Sequence, residues 1–98
     1  MTRQITLQVN ENPINLDYFV EGFVDHTVSG IIAALKGAGE IAYLDVAIDR
    51  ENVSVILNGS DVSVNLFASK IIRNTLTGLV SSLKGVDDAK TITIAIQR

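Results

Sequence analysis

Asp17, Glu21 and Asp25 recur at intervals of four, with His26 next in line, on a stretch whose apolar residues repeat at helical spacing. Carboxylates at i, i+4 and i+8 follow one face of a helix, and together with an imidazole nitrogen they are donors that hold divalent cations. These four residues are the candidate metal site. His26 stands about 100° from Asp25 around the helix, and the Glu-x-x-His spacing of helical di-metal sites is missing. A solvated charged face is therefore the competing reading.

Catalytic chemistry finds less support. His26 is the only histidine, and no Ser or Thr is held beside it by local spacing, so a nucleophile and its base would have to meet through tertiary contacts alone. Neither a Walker-type phosphate loop nor a Gly-x-Gly-x-x-Gly turn is present, and no pair of carboxylates reads as buried for acid–base work. Leu35-Lys36-Gly37 and Leu83-Lys84-Gly85 could be taken for anion loops because they recur. Phosphate loops sit at helix N-termini, whereas these fall where helices should end, so Gly as a left-handed cap beside a dipole-compensating Lys is the better explanation. Asp87-Asp88, with Gly39-Glu40 at the matching place, reads as a solvated turn that a divalent cation could visit weakly. The expectation is a non-enzyme with no catalytic residues and no cofactor.

The elements that position these residues occur twice. Residues 5–50 and 53–98 align without a gap at an offset of 48, with identities at 10/58, 19/67, 27/75, 30/78, 35/83, 36/84, 37/85, 47/95, 48/96 and 50/98. Ten identities in 46 positions exceed the roughly 3 that average composition would give by chance. Two units of this size are too few for a solenoid, so the repeats predict a single domain, 1–98, with internal pseudo-two-fold symmetry.

Each copy has a readable order. Ile5, Leu7 and Val9 alternate with polar residues, as Val53, Val55 and Leu57 do chiefly with Ser54, the period of two of a strand buried on one face. Asn58-Gly59 is a type I' hairpin signal leading into a short strand at Val62 and Val64; Asn10-Glu-Asn-Pro13 is a weaker one, and Pro13 belongs at a sheet edge. Helices are predicted from the N-caps Asp17 and Asn65 to Lys36-Gly37 and Lys84-Gly85. Alternation through Leu44, Val46, Ile48 and Ile92, Ile94, Ile96 closes each copy with a strand, and Asp49-Arg-Glu-Asn52 forms the hairpin between copies.

The outcome is an α+β two-layer sandwich: one mainly antiparallel sheet with both helices on one face, and a ferredoxin-like β-α-β-β-α-β core carrying short extra hairpins. Grasp-like ββαβ repeats are the alternative. Val20, Val24, Val28, Ile31 and Leu35 should face the sheet, as should Ala68, Ile72, Leu76, Leu79 and Leu83. A second stripe, Phe19, Phe23, Thr27, Gly30 and Ala34 with Phe67, Ile71, Thr75, Gly78 and Ser82, tapers from large to small. Gly in mid-helix costs about 1 kcal/mol relative to Ala, so the twofold Thr-x-x-Gly suggests either that the helices cross at Thr27/Gly30 and Thr75/Gly78 or that a bulky sheet residue is admitted there.

The free face of that sheet would be mild in character. Its candidate interface residues are Tyr43, Asp45, Ile56, Thr91 and Thr93, lying among small uncharged neighbours such as Thr6, Gln8, Ala47, Ser54 and Ala95. RNA-binding sheets of this topology carry two or three stacking aromatics amid basic residues, and this face has one tyrosine and an aspartate. Charge depletion around a few apolar groups resembles instead the centre of a protein interface, although threonine's ordinary β-propensity accounts for it equally well.

Composition supports these limits. With 98 residues, 47% of them apolar, the chain can bury roughly 60 to 70% of its unfolded surface, and with no cysteine it needs and has no disulfide. A net charge of -3 provides no field for phosphate backbones or anionic membranes, so nucleic acid and membrane are not expected as partners. No apolar leader or bilayer-length run is seen, and a soluble cytoplasmic protein is expected. The first function hypothesis is an interaction or assembly module with a protein partner, self or other and including a homodimer, joined through the free sheet face or an edge strand. The second is a small-ligand or divalent-metal accessory protein using Asp17, Glu21, Asp25 and His26.

Overall fold

Alternation in the strand sequences produces a sheet with one buried and one open face. The computed structural model describes residues 4–36, 40–86 and 88–98. The elements are β1 (Gln4–Val9), β2 (Asn12–Pro13), α1 (Tyr18–Lys36), β3 (Tyr43–Asp49), β4 (Asn52–Leu57), β5 (Ser60–Val62), α2 (Leu66–Ser81) and β6 (Thr91–Gln97). The six strands form one sheet in the order β2-β1-β6-β3-β4-β5 with every neighbouring pair antiparallel. The chain is thus α+β, with two helices and one antiparallel sheet, and the short hairpin strands widen the sheet at both edges.

β6 lies between β1 and β3, and β3 lies between β6 and β4, so each strand–helix–strand connection is split by a strand from the other half. At the centre, Val46 of β3 pairs with Ile94 of β6, its own counterpart at the offset of 48. Leu44, Val46, Ile48, Ile92, Ile94 and Ile96 turn one way from this central pair and are buried in a continuous core with Ile5, Leu7, Val9 and Val55. The helices cover that side alone, giving a slab with extents of 35 × 33 × 18 Å. No helix among the described residues is long and apolar enough to cross a membrane.

The helix faces sit slightly differently from their expected stripes. On α1 the deeply buried residues are Val24, Val28 and Ile32, while Val20 and Ile31 are only partly buried and Leu35 is 40% exposed. Steps of four keep the contact line turning around a helix of 3.6 residues per turn, which brings Ile32 under the helix and carries Asp25 inward with it. On α2, Ala68, Ile72 and Leu76 are buried as expected, followed by Val80 rather than Leu79 and Leu83, which flank the core.

Caps fix the helix starts. Asp17 Oδ1 accepts from the Val20 amide at 2.8 Å and Asn65 Oδ1 from the Ala68 amide at 2.8 Å, each satisfying an orphan donor of the first turn. At the other end the two helices differ. α2 stops at Ser81, short of the expected Lys84-Gly85, because Ser81 Oγ donates to Thr77 O at 2.6 Å and Ser82 Oγ to Gly78 O at 3.2 Å. The Ser82 and Leu83 amides then bond three residues back, to Leu79 O and Val80 O, and the chain leaves through Gly85 at φ +83°. Ala33 and Ala34 hold the matching places in α1, which runs on to Lys36. The expected cap at Gly37 lies outside the described residues, as do Gly39 and Asp87 of the matched loops.

The β1–β2 and β4–β5 turns each place two residues at positive φ, the type I' requirement: Asn10 at 51° with Glu11 at 68°, and Asn58 at 51° with Gly59 at 85°. Glutamate, unlike glycine, is strained in that region by its Cβ. Glu11→Gly is therefore expected to raise unfolding stability by about 1 kcal/mol, read as a higher denaturant midpoint with unchanged slope. A midpoint at or below that of the wild type would contradict the turn geometry.

Candidate functional site

The acidic residues of α1 do not converge. Asp17 caps the helix, Glu21 is half-buried, and His26 is exposed on the outer side. Asp25 is 2% exposed and faces Arg98 just beyond β6, whose guanidinium forms an ion pair with the Asp25 carboxylate. Ser29 Oγ completes the triad, donating to Asp25 Oδ1 at 3.0 Å and accepting from Arg98 at 3.0 Å. The expected outward acidic stripe is thereby corrected: its last member is a buried anion with a cation and a hydroxyl as partners. Among the described residues, no three His, Cys, Asp or Glu side chains come together as a metal-ligand set.

Tyr43, Asp45, Ile56, Thr91 and Thr93 share the sheet face away from the helices, with Asp45 opposite Ile56 and Ala47 opposite Thr93 in register. Tyr43 is 55% exposed, and its hydroxyl accepts from Gln97 Nε2 at 3.3 Å. It is the one large exposed hydrophobic side chain on that face among the described residues.

The outer side of the helix layer is more apolar. Tyr18, Phe19, Phe23 and Leu35 on α1 and Leu66, Phe67 and Ile71 on α2 are all exposed, the two phenylalanines Phe19 and Phe67 by more than 70%. Phe19 and Phe23, one helical turn apart, place their ring centroids at 6.2 Å with planes tilted by 50°. These rings and Tyr18 border one depression of about 580 Å³ with Gly22, His26 and Thr27.

A second depression of about 530 Å³ runs between the helices. It is lined by Thr27, Gly30, Ile31, Ala34 and Leu35 of α1 and by Phe67, Ala68 and Ile71 of α2. The C-terminal half of α1 thus faces the N-terminal half of α2, as expected for antiparallel helices. Their expected crossing at Thr27/Gly30 and Thr75/Gly78 does not occur. A Cβ added to either glycine would meet nothing within 4 Å, so neither the other helix nor a bulky sheet residue occupies that space. The small residues leave an open apolar groove where close packing was expected.

Charge is scarce along both helices. From Gly22 to Leu35 the only formally charged residue is the buried Asp25, and from Ile71 to Ser81 it is the half-buried Arg73. Depletion of charge around large aromatic and aliphatic groups is the compositional mark of an interface core. The Phe and Thr-x-x-Gly positions are visible in the sequence, where their periodicity alone suggests a contact within the chain.

Two further residues escaped sequence reasoning. Asn10 Oδ1 accepts from the amides of Lys90 and Thr91 at 2.8 and 3.1 Å, and its Nδ2 donates to Asp88 O at 3.1 Å. Asn58 does the same 48 positions on, accepting from Ala42 and Tyr43 at 2.8 and 2.9 Å and donating to Glu40 O at 3.0 Å. Each asparagine clamps the entry to the other half's closing strand. The identity at 10/58 is the signal in the sequence, where an asparagine beside a turn carries no trace of its distant partners. A polar cleft of about 420 Å³ lies beside Asn10, bordered by Glu11, Arg50, Asp88 and Lys90. No family model, curated protein or solved structure matches the chain.

Proposed function

We propose that this chain is a non-enzymatic protein-interaction module that docks through the outer surface of its helix layer. Seven of the eight large exposed hydrophobic side chains on α1, α2 and the sheet belong to the helices, and that observation carries the reading. Exposed apolar surface of this extent is costly to leave in water and marks an interaction site. The sheet edges are poorer candidates: β2 has two residues and contains Pro13, while β5 has three and contains Asp61, and short, proline-bearing or charged edges resist strand addition.

The same reading treats the two halves as copies of one duplicated ββαβ unit in a ferredoxin-like element order, the closing strands forming the centre of the sheet. The identities at an offset of 48, the Val46–Ile94 pairing and the matched asparagine clamps support it. Duplication places an aromatic-to-small stripe on both helices and so doubles the docking surface.

The surface can be tested without a partner. Phe19→Lys and Phe67→Lys, single and combined, are expected to retain a cooperative denaturant transition with an unchanged slope, because neither ring is in the core. Loss of the folded state in the single variants would mean that these rings serve the fold, and the docking reading would fail.

A further inference from the structure

We infer that the occupant of the helix-layer groove is a second copy of this chain, a step that rests on the docking reading above. On each helix the large residues lie in the N-terminal half and the small ones from the middle onward: Phe19 and Phe23 precede Thr27, Gly30 and Ala34, and Phe67 and Ile71 precede Thr75 and Gly78. A helix with this taper is complementary to itself when turned end for end. With two such helices antiparallel, Phe23 of one copy falls over Gly30 of the other and Phe19 over Ala34. The same spacing puts Ile71 over Gly78 and carries Phe67 to the C-terminal end of α2. An isologous two-fold interface requires this kind of self-complementary surface.

Three properties of the groove point to the same occupant. The space above Gly30 in the groove, and above Gly78 further along α2, is open, although each glycine costs its helix about 1 kcal/mol relative to alanine; an incoming ring would use the room that a side chain would fill. With aromatic side chains worth roughly 150 to 250 Å² each, the exposed rings and the small residues between them offer on the order of 800 Å², the area each partner gives to a standard stable interface. From Gly22 to Leu35 and from Ile71 to Ser81 the only formal charges are the buried Asp25 and the half-buried Arg73, so these stretches of identical surfaces meet with little like-charge repulsion, while a strongly charged partner would find little there to pair with.

Sedimentation equilibrium of the full chain over a wide concentration range tests the inference. The expected result is a monomer–dimer equilibrium. Phe23→Lys should abolish the dimer, and Gly30→Leu, which has room to fold, should weaken it by at least about tenfold, equivalent to 1.4 kcal/mol. Tyr43→Lys on the sheet face should leave the equilibrium unchanged. A chain that sediments as a monomer throughout overturns the second-copy assignment, whereas loss of the folded state in Phe19→Lys or Phe67→Lys overturns the docking reading on which it rests. A dimer insensitive to Phe23→Lys and Gly30→Leu but lost in Tyr43→Lys overturns the inference by moving self-association to the sheet.

Discussion

Replacing Arg98 with methionine is expected to lower unfolding stability by about 2 to 3 kcal/mol. The Asp25 carboxylate is 3% exposed and forms an ion pair with Arg98, so deleting the guanidinium takes a compensating cation away from a buried carboxylate that also accepts from Ser29. Breaking a fully buried pair costs roughly 3 to 5 kcal/mol, and the lower figure here reflects an arginine that is about one-third exposed. Most of the loss should return in the double variant Asp25→Asn/Arg98→Met, which neutralises the buried carboxylate and keeps a side chain able to bond Ser29. Urea melts of the wild type, the single variant and the double variant complete the comparison. A single-variant loss below about 0.5 kcal/mol would show that Arg98 contributes no more than an ordinary surface cation.

The asparagine clamps should have effects of similar size. Asn10→Ala and Asn58→Ala each remove three hydrogen bonds to strand-entry backbone and place alanine at φ near 51°, for an expected loss of about 2 to 3 kcal/mol per site. Glycine at the same positions separates the two causes. It relieves the left-handed strain, worth about 1 kcal/mol, without restoring any bond, so Asn→Gly should lie between wild type and Asn→Ala in a denaturant melt. Equal stability of the glycine variants and the wild type would show that only backbone conformation, and not the clamp, is needed.

Strands, caps and turns were legible because each rests on local chemistry. Period-two alternation marked β1, β3, β4 and β6, Asp17 and Asn65 marked the helix starts, and Asn58-Gly59 marked a type I' turn. Where tertiary geometry decides, the sequence was less informative. Asp25 keeps the same i+4 spacing from Glu21 whether it points to water or to Arg98, and the 73 positions separating it from that partner leave no periodic trace. The same limit applies to the helix stripes. A taper from Phe19 to Ala34 is equally compatible with a neighbour in the chain and with a neighbour outside it, and only the empty space at Gly30 and Gly78 distinguishes them. The second α-helix ended early for a reason the sequence does contain, since Ser81-Ser82 replaces Ala33-Ala34 at the matching positions.

The two clamps have the same geometry and very different reach. The bonds of Asn58 span 15 to 18 residues and complete the β3–β4 hairpin, whereas those of Asn10 span 78 to 81 and join opposite ends of the chain. Closing the longer loop costs more chain entropy and requires β6 to exist. On a ribosome, where synthesis proceeds from the N-terminus, Asn58 can lock its hairpin while Asn10 still waits for the strand it will hold. Assembly would then run from the middle outward, with β6 sliding between β1 and β3 as the final step; higher φ-values for Asn58→Ala than for Asn10→Ala would report that order.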